Sequence, residues 1–477
     1  MRATNILASV EKVSLAVFFL SLPVTSFPYL PSALSGAALV RPLSFYPLII
    51  LLILAVLPAL FREKLPKHYL PLFAFVLAAI VVTLLGFISG IEIASESALF
   101  DRALHAFFTL LLGVGIYLTV SLLPKTEKEL NQALRWLYGG FAIALAWGSL
   151  QIGYVVDFSS DYFQVLNKIQ RYISTRKLFH NRVSGFTFEP NWFAEQIVFL
   201  LMPWLFASVI SSRSIFRWRW RWLTLELILL IWSSFVLVFT YSRAGLFLFI
   251  AQLVIAIILK PDKGKTTGRQ QAHKNVYLKK IIFVLIVLII IFGIIFYFGN
   301  KNNYFSRLWE YWAIKDQLKQ NYFEYIAFSQ RFVYWDAAYK IFESRPIAGV
   351  GLGYYTFYFG EYFQDRPLYE IPEILRKFTP DIGRNTVVTV KNFFLRLLAE
   401  TGLVGTAFFL TFILALLFSS VYLLQSKDNT WKYWGRAGLL SLFSFLVITF
   451  SFDSFAIPNM WVVFGLITAS AHVYERG

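Results

Sequence analysis

About twelve apolar runs, each long enough to cross a hydrocarbon core of about 30 Å, alternate with polar connections along this chain. They lie near residues 14–32, 45–61, 68–90, 105–123, 134–155, 192–211, 223–241, 244–260, 281–298, 402–425, 437–453 and 458–474. Most connections are short, but about 35 residues run from Asp157 to Asn191 and nearly a hundred from Asn300 to Phe394, beyond ordinary connection lengths. The pattern predicts an all-α polytopic membrane protein of about 12 transmembrane helices, with one large, partly helical extracytoplasmic loop between spans 9 and 10. The chain then divides into spans 1–9 over residues 1–298, with an outer loop at 157–191, the large loop at 299–393, and spans 10–12 over 394–477. Within the large loop, Ser329 to Ser344 reads as an amphipathic helix with Phe332, Trp335, Tyr339 and Phe342 on one face and an i,i+4 pair from Asp336 to Lys340. Arg345-Pro346 ends it. Its aromatic face predicts a helix at the bilayer surface or against the spans, holding Arg331 near headgroup depth.

Composition agrees. The chain is 58% hydrophobic and 15% charged, whereas soluble domains are roughly half apolar and about a quarter charged. There is no cysteine, which excludes disulfides, thiolate nucleophiles and Cys-ligated metals and leaves carboxylate, Arg, Lys, Asn, Tyr and the histidines for any chemistry. The first apolar run follows Arg2 and Lys12 as a signal peptide would, but no small-residue cleavage site stands out, so it reads as a retained helix.

The net charge of +17 would suggest nucleic acid in a soluble chain; here its distribution among the loops tells more. Every even-numbered connection is basic, from Arg62, Lys64 and Lys67 after span two, through Lys125, Lys128 and Arg135, Arg213 to Arg221, and Lys260 to Lys280, to Lys427, Lys432 and Arg436 after span ten. The short odd connections carry only Arg41, Arg102 and Arg243. The positive-inside rule then places both termini in the cytoplasm, and the alternation from Arg217 to Trp222 reads as a cytoplasmic anchor on anionic lipid. The two long odd loops break the rule. One carries Lys168, Arg171, Arg176, Lys177 and Arg182, and the other Arg307, Arg331, Lys340, Arg345, Arg376, Lys377, Arg384, Lys391 and Arg396. Positive charge with no lipid-surface reason predicts an anionic ligand, and no nucleic acid.

Arg243 sits where spans seven and eight meet with almost no loop between them. A charge there is either a snorkelling anchor or functional, and a guanidinium suits a diphosphate. Arg331 is a second candidate, against the simpler reading of a solvated face. Glu189-Pro190-Asn191 opens span six; proline punctuates a helix start, and the carboxylate and amide are also placed to act as catalytic base and sugar ligand. Glu195 lies deeper in the same span. Lys391-Asn392 precedes span ten, with Glu400 eight residues after Asn392; the lysine is a candidate acid, base or phosphate ligand. The Gly349 to Gly353 run lacks a P-loop lysine and reads as a tight turn. His180 is a lone loop histidine, unpromising as a metal ligand or catalyst.

Four motifs, G-F-T-F-E-P-N-W-F-A, Y-S-R-A-G, R-F-V-Y-W followed by R-P-I-A-G-V-G-L-G, and N-F-F-L-R-L-L-A-E-T-G-L-V-G, resemble in order and topology the O-antigen ligase and polymerase superfamily of bacterial envelope glycosyltransferases, from about Arg182 onward. The resemblance implies a multi-pass protein of the bacterial inner membrane with its active site on the outer face, a metal-independent, inverting glycosyltransferase without cofactor. It implies an undecaprenyl-pyrophosphate-linked oligosaccharide as donor and a glycan or lipid acceptor, with membrane lipids as further partners. The family's two arginines fall on Arg243 and Arg331, implying that these hold the donor pyrophosphate. Lys391 is a further phosphate ligand or catalytic group, Glu189 the base, and Arg182, Asn191, Asn392 and Glu400 are glycan-binding or structural. Where the family's ligases place a histidine before the last motif's asparagine, this sequence has Lys391, which favours a polymerase. A ligase is the alternative, and a flippase of the same lipid a more distant one, since the span cores hold almost no basic residues.

Overall fold

The computed structural model describes residues 2–29, 40–89, 96–216, 218–221, 223–260, 286, 289–315, 321–362 and 388–476. Arg217, Trp222, the basic residues of 261–280, part of the run at 281–298, and Arg376, Lys377 and Arg384 lie outside them.

The described residues are mostly helical. In chain order they form α1 (Arg2–Ser21), α2 (Phe45–Arg62, with a π-helical stretch at Leu52–Val56), α3 (Tyr69–Ile88), α4 (Glu96–Leu122), α5 (Glu127–Val156), α6 (Ser160–Gln170) and α7 (Pro190–Ser211, π-helical at Gln196–Leu201). A two-residue ribbon of β1 (Arg219–Trp220) and β2 (Leu223–Thr224) precedes α8 (Leu225–Phe239), α9 (Arg243–Ile258) and α10 (Ile289–Asn300). The large loop contributes α11 (Arg307–Ile314), α12 (Tyr322–Tyr325), α13 (Ser329–Ser344) and α14 (Tyr355–Tyr362) before α15 (Phe393–Leu424), α16 (Asn429–Ile448) and α17 (Pro458–Arg476).

Among the described residues, six helices are long and apolar enough to cross a membrane, α2, α3, α4, α5, α7 and α15, against the twelve expected. α8, α9 and α10 are apolar but shorter. α1, α16 and α17 are long enough but less uniformly apolar, and α17 packs its Asn459, Thr468 and Ser470 into the protein interior, where lipid does not select against them. α7 is the central helix: 94% of its apolar window is buried, against 33% for α3 and α15. The side chain of Phe193 lies fully buried on it, and the Phe393, Phe445, Phe455 and Phe464 rings pack edge to face around its neighbours, with Phe409 tilted against Phe393.

The connections sort to two ends. At one, the short turns after α2, α4, α7 and α15 meet: Lys125 pairs with Glu63, Arg213 with Glu127, and Asn429 donates to the Ser211 carbonyl. At the other, the long loops meet the turns after α8 and α16: Val183 N–H donates to Phe239 O, Asn302 to Asn181 O, and Phe393 N–H to Thr449 O.

α15 starts nine residues before the apolar run expected at 402. The Asn392 side chain caps it by accepting from Leu395 N–H at 3.1 Å, and its first turns carry an internal Arg396–Glu400 pair, so polarity there is compensated within the helix. The helix breaks at Gly402, whose φ of 61° is left-handed. Into the break fits the Pro346–Gly353 segment, which the sequence presents as a tight turn. Val350 and Gly351 N–H donate to the carbonyls of Ala399 and Glu400, and Leu403 and Val404 N–H donate to Pro346 and Ile347 O. A Cβ at Gly402 would run into Ile347 O, and one at Gly349 (φ 69°) would lie 2.7 Å from Ala399 O. Four backbone groups at the kink thereby find partners, as non-helical backbone among spans requires.

Candidate functional site

The loop end gathers the sequence candidates into two neighbouring clusters. The first is built on the turn between α8 and α9. Ser242 accepts from Gly245 N–H at 3.3 Å and so starts α9, which fixes Arg243 at its first residue. Nη1 of Arg243 donates to Ile326 O at 2.9 Å and Nη2 to Tyr304 O at 2.7 Å. Its Nε is buried with no hydrogen-bond partner among the described residues. The guanidinium lies 4.7 Å from the centroid of the Tyr304 ring, and that of Arg182 lies 4.5 Å from the same centroid. Arg182 is buried; its Nε donates to Thr240 O and its Nη2 to Asn191 Oδ1 at 2.7 Å. Burial draws its guanidinium below the ordinary arginine range, against the opposing influence of Tyr304 and Glu189, and an arginine so shifted still carries its charge at neutral pH. Two cations thus share one ring, and both are bonded to neutral oxygens.

Glu189 is the N-cap of α7, its carbonyl accepting from Trp192 and Phe193 N–H. The carboxylate pairs with Arg176 Nη1 at 3.3 Å, and both side chains are 38% exposed. Arg176 in turn lies over the rings of Phe179 and Phe188. Glu189 therefore stands at the mouth of the central helix within reach of solvent, beside the Arg182 cluster.

The second cluster surrounds the turn between α16 and α17. Arg331 Nη1, on the first turn of α13, donates to Phe450 O at 3.0 Å. Lys391 has a left-handed φ of 59°, and its N–H donates to Asp453 Oδ2 at 2.7 Å. Arg396 is buried, donates from Nε to Glu400 Oε2 at 2.9 Å and from Nη1 to Asp453 O, and lies over the Phe455 ring. Asn392 and Glu400 are thus engaged within α15, the one in capping and the other in a buried ion pair. Arg243 and Arg331 sit on either side of a short stretch: Arg243 holds Ile326, five residues before Arg331, and Phe328, Trp335 and Phe450 pack between the clusters.

Two of these residues escape a reading of the sequence. Tyr304, 122 positions after Arg182, joins it to Arg243, and no spacing rule reaches that far. Asp453 is the one carboxylate in the turn after α16, a visible signal whose partners are not. Arg396 and Glu400 are both named from the sequence, but not their i,i+4 pairing or its burial. His180 stacks on Phe163 with ring centroids 4.2 Å apart, a packing role. Among the described residues no three His, Asp or Glu side chains gather as a metal site would require.

Two guanidinium groups held by neutral oxygens and one tyrosine ring, with a carboxylate alongside, thus concentrate positive charge at this end of the protein. The comparison with known families falls on this region. Residues 227–410 match the O-antigen ligase family. The match bears out the resemblance of the motifs to the O-antigen ligase and polymerase superfamily and, with the apolar helices, a membrane glycosyltransferase of polysaccharide biosynthesis. Arg243, Tyr304, Arg331, Lys391, Arg396 and Glu400 fall inside the O-antigen ligase segment, while Arg182, Glu189 and Asn191 precede it. No curated protein matches the chain.

Proposed function

We propose that the protein is a polymerase of lipid-linked oligosaccharide repeats: a metal-independent, inverting glycosyltransferase of twelve spans in the bacterial inner membrane, with both termini cytoplasmic and the loop end outside. The donor is an oligosaccharide on undecaprenyl pyrophosphate. An acceptor hydroxyl attacks the anomeric carbon, the bond from that carbon to the diphosphate oxygen breaks, and undecaprenyl pyrophosphate leaves with the electron pair. The hydroxyl proton passes to Glu189. Arg243 and Arg331 hold the diphosphate and stabilise the charge that develops on it, the kind of preorganised contact that often dominates catalysis. Lys391 adds a further cation, and Arg182 with Asn191 positions the mouth.

The observation that carries this reading is the pair of guanidinium groups on Tyr304, one of them Arg243 with its buried, unpartnered Nε. Two cations bonded to neutral carbonyls keep their charge for an anionic ligand, whereas cations already paired with carboxylates would have to be released first.

The test uses the full chain in nanodiscs with purified lipid-linked repeat. The wild type should build a ladder of lengthening lipid-linked products, and undecaprenyl pyrophosphate alone should bind and inhibit. Arg243→Ala should lose both binding and transfer. If Arg243→Ala and Arg182→Ala bind undecaprenyl pyrophosphate as the wild type does, the reading fails. Single transfer to a lipid acceptor without a ladder would replace the polymerase with a ligase.

A further inference from the structure

One turn below Trp192, a small cavity lies between the outlet of α1, the first turns of α7 and the start of α17. It is lined by Thr25, Val40, Trp192, Glu195, Gln196, Ile457 and Asn459, and its volume is about 10 Å³, the room that one water-sized sphere needs. Four side chains in this lining carry a buried oxygen without a hydrogen-bond partner among the described residues: Thr25 Oγ1, Glu195 Oε1, Gln196 Oε1 and Asn459 Oδ1. Glu195 is 8% exposed, Thr25 4%, Asn459 2% and Gln196 1%. Leaving even one buried acceptor unmade costs about 1–3 kcal/mol, so four around one cavity call for a common explanation.

All four atoms are oxygens, three of them acceptors only. The orientation of the Gln196 amide is fixed by its Nε2 donating to Leu22 O, which turns Oε1 toward the cavity. The backbone at Thr25 is held by the Arg41 N–H on its carbonyl, with Leu43 N–H on Val24 O beside it. Glu195 and Gln196 stand where α7 passes from α-helix into its π-helical stretch, a local distortion that re-aims side chains and recurs at functional sites.

A single water, donating two protons and accepting that of the Thr25 hydroxyl, would satisfy three of the four groups and leave one acceptor unmade. A small hard cation satisfies all of them at once, because oxygen ligands of this kind are what such ions take. One carboxylate balances one positive charge. A divalent ion would leave a net charge in a dry interior, which is costly, and a larger ion would overfill the space.

We propose that this cavity binds one Na⁺ ion through Glu195, Gln196, Asn459 and Thr25. The ion ties together three elements directly beneath Glu189 and Asn191 and so holds the mouth of the central helix in place.

The experiment does not depend on transfer activity, so its outcome is separate from that of the polymerase reading. Thermal unfolding of the purified full chain is followed in NaCl, KCl and choline chloride at one ionic strength, at pH 6 and pH 8.5. Na⁺ binding to the folded state alone should raise the Tm with a saturable dependence, by at least about 2 °C, while K⁺ and choline should not. Equilibrium binding of radioactive Na⁺ should give about one site per chain. Glu195→Gln should abolish the Na⁺-specific rise, and if that variant does not fold, Asn459→Ala should weaken it at least tenfold in Na⁺ concentration. Equal Tm values in the three salts at pH 8.5 would overturn the proposal and leave the cavity to water or a proton. So would a Na⁺ effect that survives both substitutions, which would put the ion elsewhere.

Discussion

Arg213, just past the end of α7, and Arg243, at the start of α9, both stand where an apolar helix meets a connection, yet they are held by different chemistry. Arg213 Nη2 reaches Glu127 Oε1 at 2.6 Å, and around it Lys125 pairs with Glu63 and Arg476 approaches the same carboxylate. Arg243 gives its terminal nitrogens to two carbonyl oxygens and its face to a tyrosine ring, with Arg182 on the same ring. The short-turn end therefore pairs Arg213 and Lys125 with carboxylates, although Arg135 there is held by the Ile215 carbonyl and the Phe216 ring. The loop end leaves a pair of arginines stabilised as cations without cancelling them. Among the described residues the ion pairs there include Lys340 with Asp336, Arg176 with Glu189 and the buried Arg396 with Glu400, the last two being where a base and a structural strut are proposed.

The strut gives the largest expected effect. Arg396→Met leaves Glu400 charged and buried, and breaking such a pair costs about 3–5 kcal/mol, enough to lower the yield of folded protein sharply. The double variant Arg396→Met with Glu400→Leu should recover most of it, because a well-packed apolar pair removes both desolvation penalties. Chemical unfolding of the two proteins in detergent makes the comparison. Equal stability of wild type and single variant would mean that water reaches this pair and that the site is more open than its burial indicates.

Arg243→Ala should reduce transfer by about a hundred- to a thousandfold, the usual effect of removing one donor to developing charge. Arg213→Ala should keep the rate within about threefold, since roughly 30 Å of hydrocarbon separates it from the chemistry, and should show its effect in thermal stability instead. Initial rates with lipid-linked repeat decide. Similar losses at both positions would erase the distinction between the two ends.

How much of this was open to a reader of the sequence depends on the range over which the interactions act. Apolar runs announce helices because each is a local property, and the start of α7 was readable from Pro190, whereas the Asn392 cap that starts α15 was not. The count of spans is less secure: Asn459, Thr468 and Ser470 are tolerated in α17 only because protein surrounds them. The union of the Pro346–Gly353 segment with the break at Gly402 was invisible although both halves were noticed, since nothing in either glycine says which carbonyl it must approach. Arg243 could be singled out by its place between two spans. That Tyr304 bridges it to Arg182 is a long-range fact with no local trace.

Glu189→Gln should slow transfer about a hundredfold, the typical contribution of a general base. Arg176→Gln, which removes only the partner at 3.3 Å, should lower the rate much less, because the carboxylate stays in place at the N-cap of α7. Measuring both as single-turnover rates separates proton transfer from donor binding. A larger loss in Arg176→Gln than in Glu189→Gln would move the chemistry from the carboxylate to the arginine and make the pair part of the cationic surface.

The smallest effect is expected at Lys391, where backbone and side chain can be tested apart. Its φ of 59° costs an ordinary residue about 1–2 kcal/mol, and the conformation is held by its N–H on the Asp453 carboxylate. A strained position that keeps a lysine, where glycine would sit at ease, points to use of the ammonium. Lys391→Ala should lose about tenfold in rate, the 1.4 kcal/mol of one charge-assisted contact, and Lys391→Arg should retain most of it. Lys391→Gly should be as slow as the alanine variant while unfolding at an equal or higher temperature, since relief of the left-handed strain offsets the entropy of glycine. The two readouts moving in opposite directions would identify a cation placed at the expense of stability. If Lys391→Arg is inactive and Lys391→His active, the residue works as an acid or base in the place where ligases of the superfamily carry histidine, and the cationic character of the loop end would rest on its arginines alone.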